Sequence, residues 1–420
     1  MTIDLPSIQS IRIRPFPEFG QRDCSGGARL FIKDAPDWEV FKIEGVFPAG
    51  RPYESKPGLS KALAGMLKVG TAEKGDAEIS EFVESRGGQL SVQLSADFIS
   101  IALSGPSMRF FELMPMFFHL IESAVYTPKS WKQFQNRQKH RLQADATIHE
   151  VVAYKHLTER LFGREHPYGY NASLKTYSAL SIDDIVKYRE KVMQVQQGAY
   201  LLSGGLSEGM VDRFVEEIEK APSATPPEAI VPAIPLTAPG MEYISPMGRQ
   251  QVSIRMGRYI SPDSLEESAQ LQLLQTLLGG FFGSRLMRKI RDQGGMSYHA
   301  FSHLESMRFA DYWMIGTEVA TANTARAIDL IRDCLQELVD QPISPPERQM
   351  VQNYMTGLSL EFFDGAFQQI ELIKNDRVER SQAGTYEAVM SAVKAFDVER
   401  IQLLAQKYYA PENAYIVVAG

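Results

Sequence analysis

Asp183–Gly205 (DDIVKYREKVMQVQQGAYLLSGG) and Val398–Gly420 (VERIQLLAQKYYAPENAYIVVAG) align end to end without a gap. Each reads as a helical pattern, then a turn, then an Ala-Tyr pair leading an apolar strand that ends in Gly. A unit of this length closing both halves of a chain says that the chain is built twice.

The rest of the sequence agrees. Six prolines (Pro222, Pro226, Pro227, Pro232, Pro235, Pro239) crowd Ala221–Gly240. Proline fixes φ and removes a donor, so this stretch reads as an extended linker. It separates a first domain, 1–220, from a second, 241–420. Each half carries a helix closing on Gly-Gly and then a strand pair. In the first these are Glu78–Arg86, Gly87-Gly88, Gln89–Ser95 and Phe98–Ser104; in the second, Ser284–Gln293, Gly294-Gly295, Met296–Leu304 and Ala310–Thr317. Glycine there suits a left-handed helix end, and alternation afterwards suits half-buried strands. Longer helical patterns run over Met108–Ser123, Pro128–Leu161, Ile182–Val195, Thr321–Asp340, Pro345–Leu360 and Ala366–Asn375. The expected class is α+β: two homologous domains, each a largely antiparallel sheet with helices on one face, forming a clamshell.

Composition narrows the function. With 44% hydrophobic and 23% charged residues the chain is globular in type. A net charge of −7 argues against a nucleic-acid reader. Apolar runs such as Phe110–Ile121 are interrupted by Glu112, Pro115 and His119, so no membrane span is expected. The N-terminus lacks the basic, apolar and cleavage segments of a signal peptide; the compartment stays open, the periplasm being the expectation and the cytoplasm the alternative. Cys24 and Cys334 are too few for a disulfide framework or thiolate metal site. Cys334 falls in an apolar helical pattern and reads as a buried inert thiol.

Gly58–Thr71 (GLSKALAGMLKVGT) resembles the zinc helix of the pitrilysin/insulinase peptidase family, whose motif reads Gly-Leu-Ala-His-Phe-Leu-Glu-His-Met-Leu-Phe-Lys-Gly-Thr. Ala77–Gly88, Ser91–Leu103, Phe162–Gly169 (FGREHPYG) and Leu278–Tyr298 (LGGFFGSRLMRKIRDQGGMSY) resemble further family segments in the same order. In the family H-x-x-E-H sets two His on one helical face around zinc, with Glu as base. Lys61, Ala64 and Gly65 stand at those positions. A protonated Lys repels a cation, Ala takes no proton and Gly has no side chain. The family's third ligand should fall near Leu142–Thr147, where Asp145 is the lone carboxylate. No metal is therefore expected on this chain.

Arg291 and Tyr298 match the Arg–Tyr pair of the family's second domain. The resemblance implies that the pair reaches the peptide at the zinc, Arg donating to carbonyl oxygens and Tyr to a developing oxyanion. The plainer alternative makes Arg291 a helix-end cation and Tyr298 strand packing. The family reading is a non-zinc-binding subunit, as in processing-peptidase-like heterodimers. A homologous zinc-binding partner would then supply metal and base, with peptides as substrate. A silent structural core subunit and a stand-alone peptide-binding chamber remain the alternatives.

Other motifs weigh less. His299 and His303 on one strand would lie ~13 Å apart, and His149 and His156 on one helix ~10 Å apart, so neither pair chelates alone. Gly205–Gly209 matches G-x-S-x-G, but Ser207 reads as a helix cap. Leu278–Arg285 lacks the Lys-Ser/Thr of a phosphate loop. The strand pair 89–104 could offer an edge to a peptide.

Overall fold

The structure, a computed structural model, describes residues 12–70, 75–235, 238–244, 250–380 and 382–420. Thr71 of the zinc-helix-like segment and residues 236–237 of the Pro-rich stretch lie outside them. The first half supplies β1 (Gly20–Asp23), β2 (Arg29–Asp34), β3 (Val40–Phe47), β4 (Gln89–Leu94), β5 (Ile99–Pro106) and β6 (Ala199–Gly204). The second supplies β7 (Gly240–Ile244), β8 (Gln251–Ile260), β9 (Ala300–Ser306), β10 (Asp311–Ala320) and β11 (Tyr415–Ala419).

The sheets run β1-β2-β6-β3-β5-β4 and β7-β11-β8-β10-β9. Without β1 the two orders match strand for strand. The pairing sense matches too: β2–β6 and β7–β11 are parallel, and the remaining pairs are antiparallel. Duplication is therefore real, and the fold is two homologous α+β units in a clamshell.

The gapless alignment, however, is one residue out. Helices Ile182–Val192 and Val398–Tyr408 are the equivalents, capped by Ser181 and Asp397, so Asp183 corresponds to Glu399 and not to Val398. In the strands, Ala199 sits opposite Arg29 while Tyr415 sits opposite Gly240. A slip of one residue reverses every side chain in a strand. With the corrected register Tyr200 and Ile416 both face their own half's core, and Leu201 and Val417 both face away.

What covers those outward faces joins the halves. The expected helix Pro128–Leu161 breaks at residues 146–148 into Pro128–Asp145 and His149–Phe162. The second piece crosses over and packs Leu157, Leu161 and Phe162 against Tyr312, Met314 and Val417 of the second sheet. Reciprocally, helix Ala366–Lys374 lays Ile370 and Ile373 on Phe31, Val46 and Leu201 of the first sheet. Each fully buried Leu, Ile or Phe contributes about 1.5–3 kcal/mol, so the exchange is a major part of what holds the halves together.

Charge reinforces it. On β3, buried Glu44 meets Lys374 (2.8 Å) and Lys42 (2.9 Å); Glu371 closes the ring on Lys42 and Lys374, each at 2.5 Å. Glu44 pairs with Leu201 across the ladder, as Arg255 on β8 pairs with Val417, so Arg255 is its equivalent. Arg255 in turn meets Glu150 of the exchanged helix at 2.9 Å. The longer guanidinium needs room: its cross-strand neighbour is Gly316, where a Cβ would come within 2.8 Å of Arg255 Nη1.

The Pro-rich stretch has neither helix nor strand over residues 222–235. Ile230 donates its N–H to the Pro52 carbonyl (2.6 Å), which holds it to the first half. β7 begins at Gly240, within the stretch expected as linker. Gly87 (φ +71°) and Gly295 (φ +57°) take the left-handed conformation that the Gly-Gly reading requires.

Candidate functional site

The zinc-helix equivalent is Leu59–Met66. Gly58 precedes it in the left-handed region and has no capping side chain, so buried Glu54 does the capping from four residues upstream. Its carboxylate accepts from the backbone N–H of Gly58 (3.1 Å) and Ser60 (2.7 Å), and from the hydroxyls of Ser60 (2.6 Å) and Tyr170 (2.7 Å). Burial pushes the Glu54 carboxyl up, and these donors only partly offset it.

Further along this helix the ligand positions are refilled. A Cβ on Gly65 would lie 2.5 Å from Cε2 of Phe134. Phe134 is buried, stacked on Trp131 (centroids 5.3 Å apart, 13° between planes) and edge-on to Tyr177 (5.7 Å). An aromatic cluster thus occupies the place of a second histidine. With Lys61 and Ala64 beside it, this donor set does not fit zinc.

Lys61 instead faces a cavity of about 440 Å³ between the halves. Arg51, Arg141, Lys155 and Asp145 line it, with Tyr154, Tyr168, Tyr170, Tyr177 and Phe162 as aromatic wall and Met307 and Tyr312 closing it from the second half. Asp145, the carboxylate in the third-ligand region, is engaged by Lys155 (3.3 Å). Arg51 lies over the Tyr170 ring (4.8 Å) and donates to the carbonyls of Pro167 and Tyr170, both at 3.3 Å. Burial lowers the Lys61 ammonium below the ordinary lysine range; Arg141 and Arg51 add to this, and Asp145 opposes it. The His-Pro-Tyr-Gly loop is structural here: His166 is buried against Phe162, and Tyr168 donates to Asp97, which also accepts from the Arg308 N–H of the second half (3.0 Å).

Arg291 and Tyr298 line a separate cavity of about 610 Å³, with Glu150, Arg255, His299 and Phe301. The structure therefore does not bring the pair into the Lys61 cavity. Arg291 lies in the π-helical segment Met287–Gln293, held by Asp292 (2.9 Å) and stacked on Phe282 of the glycine-rich loop (3.6 Å). A helix-end cation describes it accurately. Tyr298 differs from expectation: it precedes β9 in a bend instead of lying on the strand, and it is 95% exposed. Strand packing does not account for it.

The remaining motifs are structural. His299 and His303 interleave with Phe301 as a ring stack (5.1 and 4.7 Å). Among the described residues no group of three or more His, Cys, Asp or Glu could hold a metal, and no helix is long and apolar enough to cross a membrane. Ser207 caps Glu208–Lys220 by accepting from the Met210 N–H. Cys334 is buried, and burial pushes its thiol up to about 12. The Arg51, Arg141 and Lys155 ring was not singled out from sequence. Its one local signal is Arg141 and Asp145 at helical spacing in a strongly polar helix.

Comparison with known proteins agrees with the fold. Residues 179–355 match the model described as the peptidase M16 inactive domain. The crystal structure of a peptidase M16 inactive domain from Pseudomonas fluorescens superposes with a TM-score of 0.87 at 19% identity, covering 96% of this chain and 98% of that one. The match to the inactive-domain model, over less than half of the chain, marks an M16 inactive domain within residues 179–355. In the first half Lys61, Ala64 and Gly65 stand where the zinc motif has its ligands and base. Among relatives, "Uncharacterized zinc protease YmxG" of Bacillus subtilis is 19% identical over 407 residues, 94% of this chain and 97% of its own length. "Non-peptidase homolog YmxG" of Helicobacter pylori is 21% identical over 306 residues, 71% and 70% respectively.

Proposed function

We propose that this chain is the non-zinc-binding subunit of a heteromeric zinc peptidase. A homologous partner holds the metal and its base, while Arg291 and Tyr298 contact the peptide there. The carrying observation is Tyr298, a large aromatic phenol left 95% exposed beside Arg291 at the mouth of a cavity. Burial does not explain such a residue, whereas a hydroxyl aimed at a partner's substrate does. The test is to purify the chain alone and mixed with a zinc-bearing M16 homologue, then follow cleavage of a fluorogenic peptide. Chelator-sensitive cleavage by the mixture only is expected; the same activity from this chain alone would sink the proposal.

A second reading, a peptide-binding chamber without proteolysis, is favoured by the refilled ligand position at Gly65 and the cavity beside it. It predicts peptide binding and no cleavage in any mixture.

A further inference from the structure

The cavity beside Leu59–Met66 has lost its metal ligands and gained positive charge. Four cations line it, Arg51, Lys61, Arg141 and Lys155, against one carboxylate, Asp145. Lys155 is committed to Asp145, and Arg51 is spent on two backbone carbonyls and a ring face. Lys61 and Arg141 have no ion pair within the described structure, although each lies near the other. Like charges facing one cavity whose single carboxylate is already paired with Lys155 destabilise each other. A fold that keeps them there leaves a place for an anion.

The shape of the place indicates what carries that anion. A bare inorganic ion needs neither 440 Å³ nor a wall of four tyrosines and a phenylalanine. β4 is the last strand of its sheet, paired only with β5 among the described strands. Its end and the turn after it, Leu94, Ser95 and Ala96, form one side of the cavity. An extended chain laid along an open strand edge uses its backbone for affinity and every second side chain for pockets. A segment on the outer side of β4 would bring a side chain or its own terminus to Lys61.

We infer that this cavity binds the carboxylate of an extended peptide, with Lys61 and Arg141 as its counter-charges where the family elsewhere holds a metal. The inference rests on the peptide-handling part of the proposed function and not on the presence of a zinc partner. Burial and the two guanidiniums hold the Lys61 ammonium low in the free chain; a carboxylate beside it reverses that, so binding takes up protons as pH rises towards the lowered value.

The test uses the full chain and short fluorescein-labelled Ser/Val/Tyr peptides, read by anisotropy. One carries a central Glu, a second has Gln there with a free C-terminus, and a third has Gln and an amidated C-terminus. The Glu peptide or the free-terminus peptide should bind about tenfold more tightly than the amidated neutral one, which also tells a side-chain from a terminal carboxylate. Lys61→Gln and, separately, Arg141→Gln should remove that preference. Arg141 is exposed on its helix, so its variant keeps the test open if the Lys61 variant fails to fold. Equal binding of all three peptides by the wild type overturns the inference, as does a preference that survives both substitutions. Inorganic phosphate displacing the acidic peptide at equal affinity overturns the peptide assignment. If a zinc-bearing mixture cleaves peptides while the wild-type chain shows no carboxylate preference, the cavity inference falls and the subunit proposal stands. The converse result separates them the other way.

Discussion

The two halves repeat five strands in one order and one pairing sense, yet they treat the middle of the sheet in opposite ways. At the same ladder position the first half buries Glu44 and the second buries Arg255, 3% and 2% exposed. Each is neutralised by a helix lent from the other half. Glu44 sits in a four-residue ring in which only Glu371 is as much as about a third exposed, whereas the partner of Arg255, Glu150, keeps 55% of its side chain in solvent. The halves also differ at their candidate sites. Around Lys61 the vacated ligand positions have been packed with Phe134 and ringed with cations. Around Arg291, Tyr298 packs against nothing. A residue whose place is explained by packing belongs to the fold; one that is not needs a cause outside the chain.

Breaking the first half's lock should have the largest effect. Glu44→Ala leaves Lys42 and Lys374 sharing one carboxylate in a buried ring, at a cost of about 3–5 kcal/mol, measured by urea denaturation. A loss below a third of that would mean the exchanged helix is held by apolar contacts alone. Next comes the refilled ligand position. Lys61→His/Ala64→Glu/Gly65→His should lose about 1–3 kcal/mol through overpacking against Phe134 and should retain no stoichiometric zinc after dialysis. Full zinc occupancy at unchanged stability would show a site merely decayed rather than rebuilt.

Acid sharpens the same comparison. Burial alone would raise the Glu371 carboxyl, but Lys374 and Lys42 outweigh it and bring it from the ordinary 4.5 down to about 2. Its folded pKa is depressed, so its contribution is complete above the unfolded value and is lost as pH falls from about 4.5 towards 2. Thermal melts of wild type and Glu371→Gln should therefore differ at neutral pH and converge across that window. Among the buried charges the smallest expected effect is Arg255→Met, within about 1 kcal/mol of wild type, because Glu150 simply returns to water.

The duplication and the α+β class were legible because helices, Gly-Gly turns and the closing strands recur in order. The register was not. β6 and β11 are buried on both faces and so read as continuous apolar runs, with no alternation to say which residues face the core. Matching the Ala-Tyr pairs then placed Ala199 against Ala414 when its equivalent is Tyr415. The break at residues 146–148 carries no Gly or Pro, and the exchange of helices that follows from it is a tertiary fact. At the site, Lys61, Ala64 and Gly65 announced the missing ligands through the motif. Phe134 filling the gap, and Arg51 and Arg141 converging on Lys61, come from segments far apart in sequence, with no motif to join them.

The central claim is that half a catalytic site survives in the second domain, and Tyr298→Phe in an active mixture with a zinc-bearing homologue tests it most directly. The substitution touches nothing in the fold and should leave stability within about 0.5 kcal/mol. If the hydroxyl serves an oxyanion, kcat should fall on the order of 10²-fold while the subunits still associate. An unchanged kcat in that mixture would contradict the account.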